Sequence, residues 1–290
     1  MAGDSPTVWL YWDSPESGDP GYIELCVRSI QKWAGRLDVV VLSSDSIRHW
    51  VPDIHPGFSD IPVIAHRADY ARAATLAVNG GIWLDIDTVV LAPIQFLWEL
   101  TALNGAVFYG WRSKEPSIGM IAARAGHPMI VAWRQAIERR ISESVDQRWA
   151  GFGYDLLWPI ASYSAFCQVP REQCAPTHWT ETGLFGRRMV ADEIVDDATM
   201  MVQLYNRGLS EKMGAMSASE ISSSDTLLAS LFELSDQRLF NGAVVDRIVD
   251  GTRLSVAAAQ DIGWGSTDRW LDVRHLSMQM VRSYWRALED

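Results

Sequence analysis

Residues Arg67-Ala-Asp-Tyr-Ala-Arg-Ala-Ala-Thr-Leu-Ala-Val-Asn-Gly-Gly-Ile-Trp-Leu-Asp-Ile-Asp87 decide how this chain is read. A helix carrying Asp69 and Arg72 ends at Asn79-Gly80-Gly81, where glycine supplies the left-handed cap. An apolar strand, Ile82 to Ile86, follows directly and ends in two carboxylates. Asp85 and Asp87 are separated by one residue, so on a strand both project to the same side. Two anions so close repel unless a cation sits between them. Hard oxygen ligands suit Mg²⁺ or Mn²⁺, ions that keep waters and take phosphate oxygens as their remaining ligands. Asp69 and Arg72 are three apart and share a helix face, an acid and a base placed to hold hydroxyls and an anionic oxygen.

Upstream, Thr7 to Tyr11 is a short β-prone run. It feeds the loop Asp13-Ser-Pro-Glu-Ser-Gly-Asp-Pro-Gly21. From Tyr22, apolar Ile23, Cys26, Val27, Ile30 and Trp33 recur at helical spacing between Pro20 and Gly35. Asp38 to Leu42 reads as a second buried strand, which makes a βαβ unit with a right-handed crossover. The helix of the decisive stretch is expected over Ile61 to Asn79. Downstream, strands are expected at Ala106 to Tyr109 and Met120 to Ala123, and an amphipathic helix at His127 to Ser142. Beyond about residue 150 the pattern weakens into aromatic, Gly- and Pro-punctuated segments, a Ser-rich turn at Ser217 to Asp225 and a helical pattern from Leu271 to Leu288. The expectation is an α/β fold with a mostly parallel, Rossmann-like central sheet flanked by helices and an α-rich C-terminal extension. In such sheets ligands bind beyond the carboxyl ends of the strands, where Asp85 and Asp87 fall.

The chain of 290 residues, 48% hydrophobic and 21% charged, is long enough for a sizeable core. A formal net charge of -11 argues against nucleic acid as a partner, because a basic face is needed to displace counterions. Cys26, Cys167 and Cys174 have neither disulfide nor zinc spacing, which fits a reducing, cytoplasmic setting. No window approaches the ~18 apolar residues of a membrane span, and no export signal is evident. Fourteen tryptophans is a high count for sugar-facing rings to be drawn from, yet any single one is read first as core.

Asp69-x2-Arg72 followed by Gly80-Gly81-Ile82-Trp83-Leu84-Asp85-x-Asp87 resembles the DXD-motif glycosyltransferases that include capsular polysaccharide synthesis proteins, Golgi mannosyltransferases of fungi and, more distantly, glucosylating bacterial toxins. Val8-Trp-Leu-Tyr-Trp12, Cys26 to Trp33 and Ala122-Ala-Arg-Ala-Gly-His-Pro128 are similar to further segments of the capsular members. The resemblance implies one GT-A domain over 1–290, with a nucleotide-sugar-binding part (1–130) and an acceptor-side and C-terminal part (131–290). It also implies a UDP- or GDP-sugar donor, a saccharide or small-molecule acceptor, Mn²⁺ or Mg²⁺, and retention of anomeric configuration. Carried over by residue, Trp9 should stack on the base with Tyr11 beside it. Asp69 and Arg72 should hold ribose and sugar, Trp83 and Asp85 should line the donor, and Asp87 should be the principal metal ligand with Asp85.

Three departures stand out. Asp261 occupies the place of a late His that completes the metal shell, and could serve as a ligand; His275 is a weaker candidate. Ile118 stands where the family commonly has Asn. Thr182-Gly183-Leu184 keeps a turn but lacks its proline. Asp155, on a Gly- and aromatic-rich turn, could meet a sugar hydroxyl. Two alternatives remain from these residues: a sugar-nucleotide binder or donor hydrolase with a drifted acceptor side, and a metal-dependent phosphohydrolase, for which no second set of ligands lies near Asp87.

Overall fold

The computed structural model describes residues 6–110, 116–143, 151–239 and 253–254. The strands are β1 Val8–Tyr11, β2 Val39–Leu42, β3 Gly81–Leu84, β4 Thr88–Val90, β5 Ala106–Gly110, β6 Pro116–Ala123, β7 Cys167–Pro170, β8 Met201–Gln203 and β9 Arg253–Leu254. The helices are α1 Gly21–Ala34, α2 Ile47–Trp50, α3 Ile64–Asn79, α4 Gln95–Asn104, α5 Pro128–Ser142, α6 Tyr154–Ala161, α7 Arg171–Cys174, α8 Asn206–Met213, α9 Ala218–Ser222 and α10 Leu227–Gln237.

Seven strands form one sheet in the order β2-β1-β3-β6-β5-β7-β9, while β4 and β8 make a separate antiparallel pair. β1 pairs in parallel with β2 and β3, and β5 with β7; β6 is antiparallel to β3 and β5, and β9 to β7. Five of the seven strands therefore point one way. The expected α/β sheet flanked by helices is found, and β6 is the reversed strand beside the expected site.

Strand alternation builds two cores. In β1, Val8 and Leu10 face the core shared with α1, α4 and α10, whereas Trp9 and Tyr11 face that of α3, α5 and α6. In β3, Ile82 and Leu84 turn to the first and Trp83 to the second. A strand covered on both faces must be apolar throughout, which is why these segments read as continuous hydrophobic runs. β2 corrects one expectation: among the described residues nothing pairs beyond it, so it is an edge strand, with Val41 43% exposed.

The Gly80-Gly81 turn holds α3 against β1. Both glycines have positive φ (65° and 112°), and a Cβ on Gly81 would sit 2.5 Å from Thr7 O. Only glycine fits so close an approach. The late helices α8, α9 and α10 pack on the first core, as an α-rich extension should. The Ser-rich turn is instead the start of α9: Ser217 caps Glu220 N, and Glu220 Oε2 accepts the Ser217 N–H at 2.8 Å. That Ser-x-x-Glu spacing is a capping box. The helical pattern from 271 to 288 lies outside the described residues.

Candidate active site

The site forms past the carboxyl ends of β1 and β3, beside reversed β6. β3 stops at Leu84, so Asp85-Ile86-Asp87 is a turn into β4 rather than strand. Asp85 N still donates to Gly119 O of β6 at 2.9 Å. Asp85 Oδ1 accepts from Arg72 Nη2 at 2.5 Å and from Trp83 Nε1 at 3.2 Å. Arg72, one turn beyond Asp69 on α3, places Nη1 3.6 Å from Asp69 Oδ1 and lays its guanidinium 5.2 Å from the Trp83 ring centroid. It is 3% exposed, and its Nε and Nη1 carry no hydrogen-bond partner.

Asp87 is clamped from the far side of the chain. Its Oδ1 accepts from Gln203 Nε2 at 2.9 Å and its Oδ2 from Asn206 N at 2.5 Å. Gln203 ends β8, Asn206 opens α8, and Tyr205 between them has φ 57°, the one non-glycine residue with positive φ among the described residues. A left-handed non-glycine is a strained link of the sort that accumulates at functional sites. Here it turns the first amide of α8, the electropositive end of that helix, onto the carboxylate.

Asp69 and Asp85 share one guanidinium, and the Asp85 charge reaches Asp87. Burial pushes Asp69 up to about 7, Arg72 pulling it down and the Asp85 charge adding to the rise. Burial likewise raises Asp87 to about 6; the Asp85 charge adds, and the Asn206 and Gln203 hydrogen bonds oppose. Asp85 is raised too, burial outweighing Arg72 and Trp83. Among the described residues Arg72 is the one cation paired with Asp69 and Asp85, and none is paired with Asp87.

Two glycines leave room around it. A Cβ on Gly119 would lie 3.3 Å from Asp85 Oδ2 and 3.1 Å from both Tyr109 Oη and Gln203 Oε1. One on Gly153 would lie 3.0 Å from Asp69 Oδ2 and 2.6 Å from Ile118 Cδ1. Asp85, Asp87 and the space over Gly119 fit a divalent cation: the ligands are hard oxygens and the local charge is uncompensated. Among the described residues no third His, Cys, Asp or Glu joins them in a metal-holding group.

A second polar cluster caps β1 and β2. Asp13 Oδ2 accepts from Tyr11 Oη at 2.6 Å, Ser44 Oγ at 2.7 Å and Arg67 Nη1 at 3.0 Å, while Oδ1 accepts from Ser44 N at 2.7 Å. Burial pushes Asp13 up, but these bonds and the Arg67 charge outweigh it and hold the carboxyl below its ordinary range.

The structure thus brings Asp69, Arg72, Trp83, Asp85 and Asp87 together. It corrects the expectation for Trp9. That ring is 2% exposed, its Nε1 donates to Gly80 O at 2.8 Å, and its face meets Trp50 edge-on at 4.9 Å, so no surface remains for a base. Tyr11 is buried with its hydroxyl committed to Asp13. Trp83 is fully buried and supports Arg72 and Asp85 rather than lining the donor. The three corrections have one cause: in a strand covered on both faces, an aromatic is core. Asp261 and His275 lie outside the described residues. Asp155 is exposed at the start of α6, Ile118 packs on the second core, and Thr182-Gly183-Leu184 keeps its turn within a 3₁₀ segment. Gln203, Asn206, Gly119 and Gly153 were not foreseen. The β-prone run Met200 to Leu204 ahead of Asn206 was the available signal, but nothing local to it names Asp87 as the partner.

A family model described as capsular polysaccharide synthesis protein matches residues 2–139, a segment containing Asp69, Arg72, Asp85 and Asp87. "Glycosyltransferase afumC" of Aspergillus fumigatus is 28% identical over 154 residues, covering 46% of this chain. The match spans 39% of that relative's length. The solved structure "PaToxG Glycosyltransferase" aligns over 80% of this chain and 86% of its own, at 12% identity and a TM-score of 0.39. No helix among the described residues is long and apolar enough to cross a membrane. Through residues 2–139 the chain is similar to the capsular polysaccharide synthesis proteins.

Proposed function

We propose that this protein is a metal-dependent, retaining glycosyltransferase that moves a sugar from a nucleoside-diphosphate donor to a hydroxyl of a saccharide or small-molecule acceptor. The observation that carries the reading is the buried Asp69–Arg72–Asp85 cluster with Asp87 beside it, over-supplied with negative charge, at the carboxyl ends of β1 and β3 and within the segment that matches the capsular family. A divalent cation between Asp85 and Asp87 supplies Lewis-acid neutralisation of the departing diphosphate when bound.

The remaining roles belong to the chain. Asp69, beside Gly153, accepts from hydroxyls of the donor. Arg72, with two unsatisfied donor nitrogens, holds an oxygen of the sugar or phosphate. Gln203 and Asn206 fix Asp87 so that its orientation need not be reorganised during reaction. In the transfer, the bond from the anomeric carbon to the diphosphate oxygen breaks and the acceptor oxygen bonds to that carbon from the same face. The acceptor proton passes to the departing diphosphate oxygen.

A thermal-shift panel of UDP-, GDP-, dTDP- and CDP-sugars with and without Mn²⁺ tests this. One donor should raise the melting temperature by mass action, and only with metal. No shift with any donor, or the same shift in excess chelator, would overturn the reading. Ile118, apolar where the family commonly has Asn, favours one second reading, a donor hydrolase; free sugar as sole product in the presence of acceptors would establish it.

A further inference from the structure

The Gln203 amide meets different partners at its two ends. Gln203 is the last residue of β8 and pairs across the two-stranded sheet with Thr88. It is 5% exposed, and a buried amide has to find partners for both its nitrogen and its oxygen. Nε2 donates to Asp87 Oδ1 at 2.9 Å, and Oε1 accepts from the Thr88 hydroxyl at 3.2 Å. A carbonyl oxygen has two lone pairs, so one hydrogen bond leaves Oε1 able to accept again.

That oxygen is turned toward the Asp85 side of the cluster. Gln203 Oε1 lies 3.1 Å from the point a Cβ on Gly119 would occupy, and Asp85 Oδ2 lies 3.3 Å from the same point. Arg72 and Trp83 both donate to the other oxygen of Asp85, Oδ1. The third atom at this point, Tyr109 Oη, is hydrogen-bonded to Ser117. Asp85 N donates to Gly119 O at 2.9 Å, which fixes β6 beside the carboxylate. An amide oxygen and an ionised carboxylate oxygen are both acceptors, so a space they share calls for a hydrogen-bond donor or a cation. Carbonyl and carboxylate oxygens are the ligands Mg²⁺ and Mn²⁺ take. A neutral ligand also adds no further negative charge to acids that already repel one another.

We infer that Gln203 Oε1 is a third protein ligand of the cation, beside Asp85 and Asp87, while Nε2 of the same amide holds Asp87 in place. The inference rests on the cation of the proposed function, and its test reads the metal rather than the transfer reaction. Mn²⁺ is titrated into the full chain, alone and with UDP, GDP, dTDP or CDP, and free Mn²⁺ is followed by electron paramagnetic resonance.

The wild type should bind Mn²⁺ in at least one of these arms. Gln203→Leu should weaken binding by about tenfold or more, whereas Gln203→Glu, which keeps an oxygen at the same reach, should bind at least as tightly as wild type. Gln203→His should put a ring nitrogen on the ion, seen as a directly coupled nitrogen in the pulsed spectrum of bound Mn²⁺; an amide that only orients Asp87 gives no such signal. Gly119→Ala provides a second reading should Gln203→Leu unfold: it keeps every oxygen and crowds the space between them, so Mn²⁺ should again bind about tenfold more weakly. Unchanged affinity in the folded Gln203→Leu or its Gly119→Ala substitute, or no coupled nitrogen in a Gln203→His variant that binds Mn²⁺, overturns the ligand and leaves the glycosyltransferase reading standing. Mn²⁺ binding that follows residue 203 but is indifferent to every diphosphate supports the ligand and removes that reading. A wild type that takes up no Mn²⁺ in any arm overturns both.

Discussion

Two carboxylate clusters stand at the carboxyl ends of neighbouring strands, and they are built on opposite plans. Around Asp13, four hydrogen bonds, one of them from an arginine, meet a single acid, and its carboxyl is held below the ordinary range. Around Asp69, Asp85 and Asp87, one arginine pairs with two of the three acids, and all three are raised. At the first, both carboxylate oxygens are met by partners that tie the ends of β1 and β2 to α3. At the second, the described residues supply one paired cation to the three acids, and burying unneutralised carboxylates is unfavourable unless further positive charge reaches them. Saturation by partners distinguishes an anchor from a site more reliably than the presence of acidic residues does.

The sharpest way to break that contrast is Asp87→Asn. With the principal cation ligand gone, metal-dependent transfer should fall by about three orders of magnitude, equivalent to roughly 4 kcal/mol of transition-state stabilisation. Stability should change by no more than about 1 kcal/mol, because one lost hydrogen bond is offset by relief of repulsion from Asp85. Activity assays beside denaturant unfolding decide it: full activity in excess chelator, or loss of activity only through unfolding, removes the functional half of the comparison.

Arg72→Met comes next. Removing the guanidinium leaves Asp69 and Asp85 without their ion-pair partner, and unfolding in denaturant should show a loss of about 3 kcal/mol. Adding Asp69→Asn to that background should recover part of it, since one repelling charge is gone. A single variant as stable as wild type would mean that Asp69 and Asp85 are better solvated than their burial indicates.

Asp13→Asn tests the completed cluster. A loss of about 1–2 kcal/mol is expected, with activity per folded molecule retained. Because the folded carboxyl titrates below its unfolded value of about 4, its contribution is present at neutral pH and is lost as pH falls through the folded value. Urea midpoints from pH 7 to 3 should therefore show a steeper acid decline in the wild type than in the variant.

The sequence carried the parts of this contrast that depend on local spacing. Asp69 and Arg72 share a helix face, Gly80-Gly81 ends that helix, and Asp85 and Asp87 follow a buried strand; each is legible within twenty residues. Trp9 and Tyr11 were misassigned because alternation tells which residues share a face but not whether that face is covered, and α3 covers theirs. Gln203 and Asn206 lie more than a hundred residues from Asp87 and reach it through the β4–β8 pairing, which has no local signature. The Asp13 cluster draws on β1, β2 and α3 at once, and nothing in Asp13-Ser14-Pro15 distinguishes it from an ordinary loop carboxylate.

Tyr11→Phe should have the smallest effect, and it locates the boundary between the two clusters. The hydroxyl donates to Asp13 Oδ2 and sits 2.9 Å from Ser44 Oγ, while the ring is buried against Phe58. Phenylalanine keeps the ring packing and removes one of four donors to Asp13, so stability should drop by about 1 kcal/mol or less. If Tyr11 belongs to the anchor, nucleotide-sugar affinity measured by calorimetry with Mn²⁺ should be unchanged, since a ring 5% exposed offers no face to a base. A tenfold weakening would show that the anchor opens when donor binds. The two clusters would then be parts of one site, with Asp13 reading the nucleoside end while Asp87 holds the diphosphate.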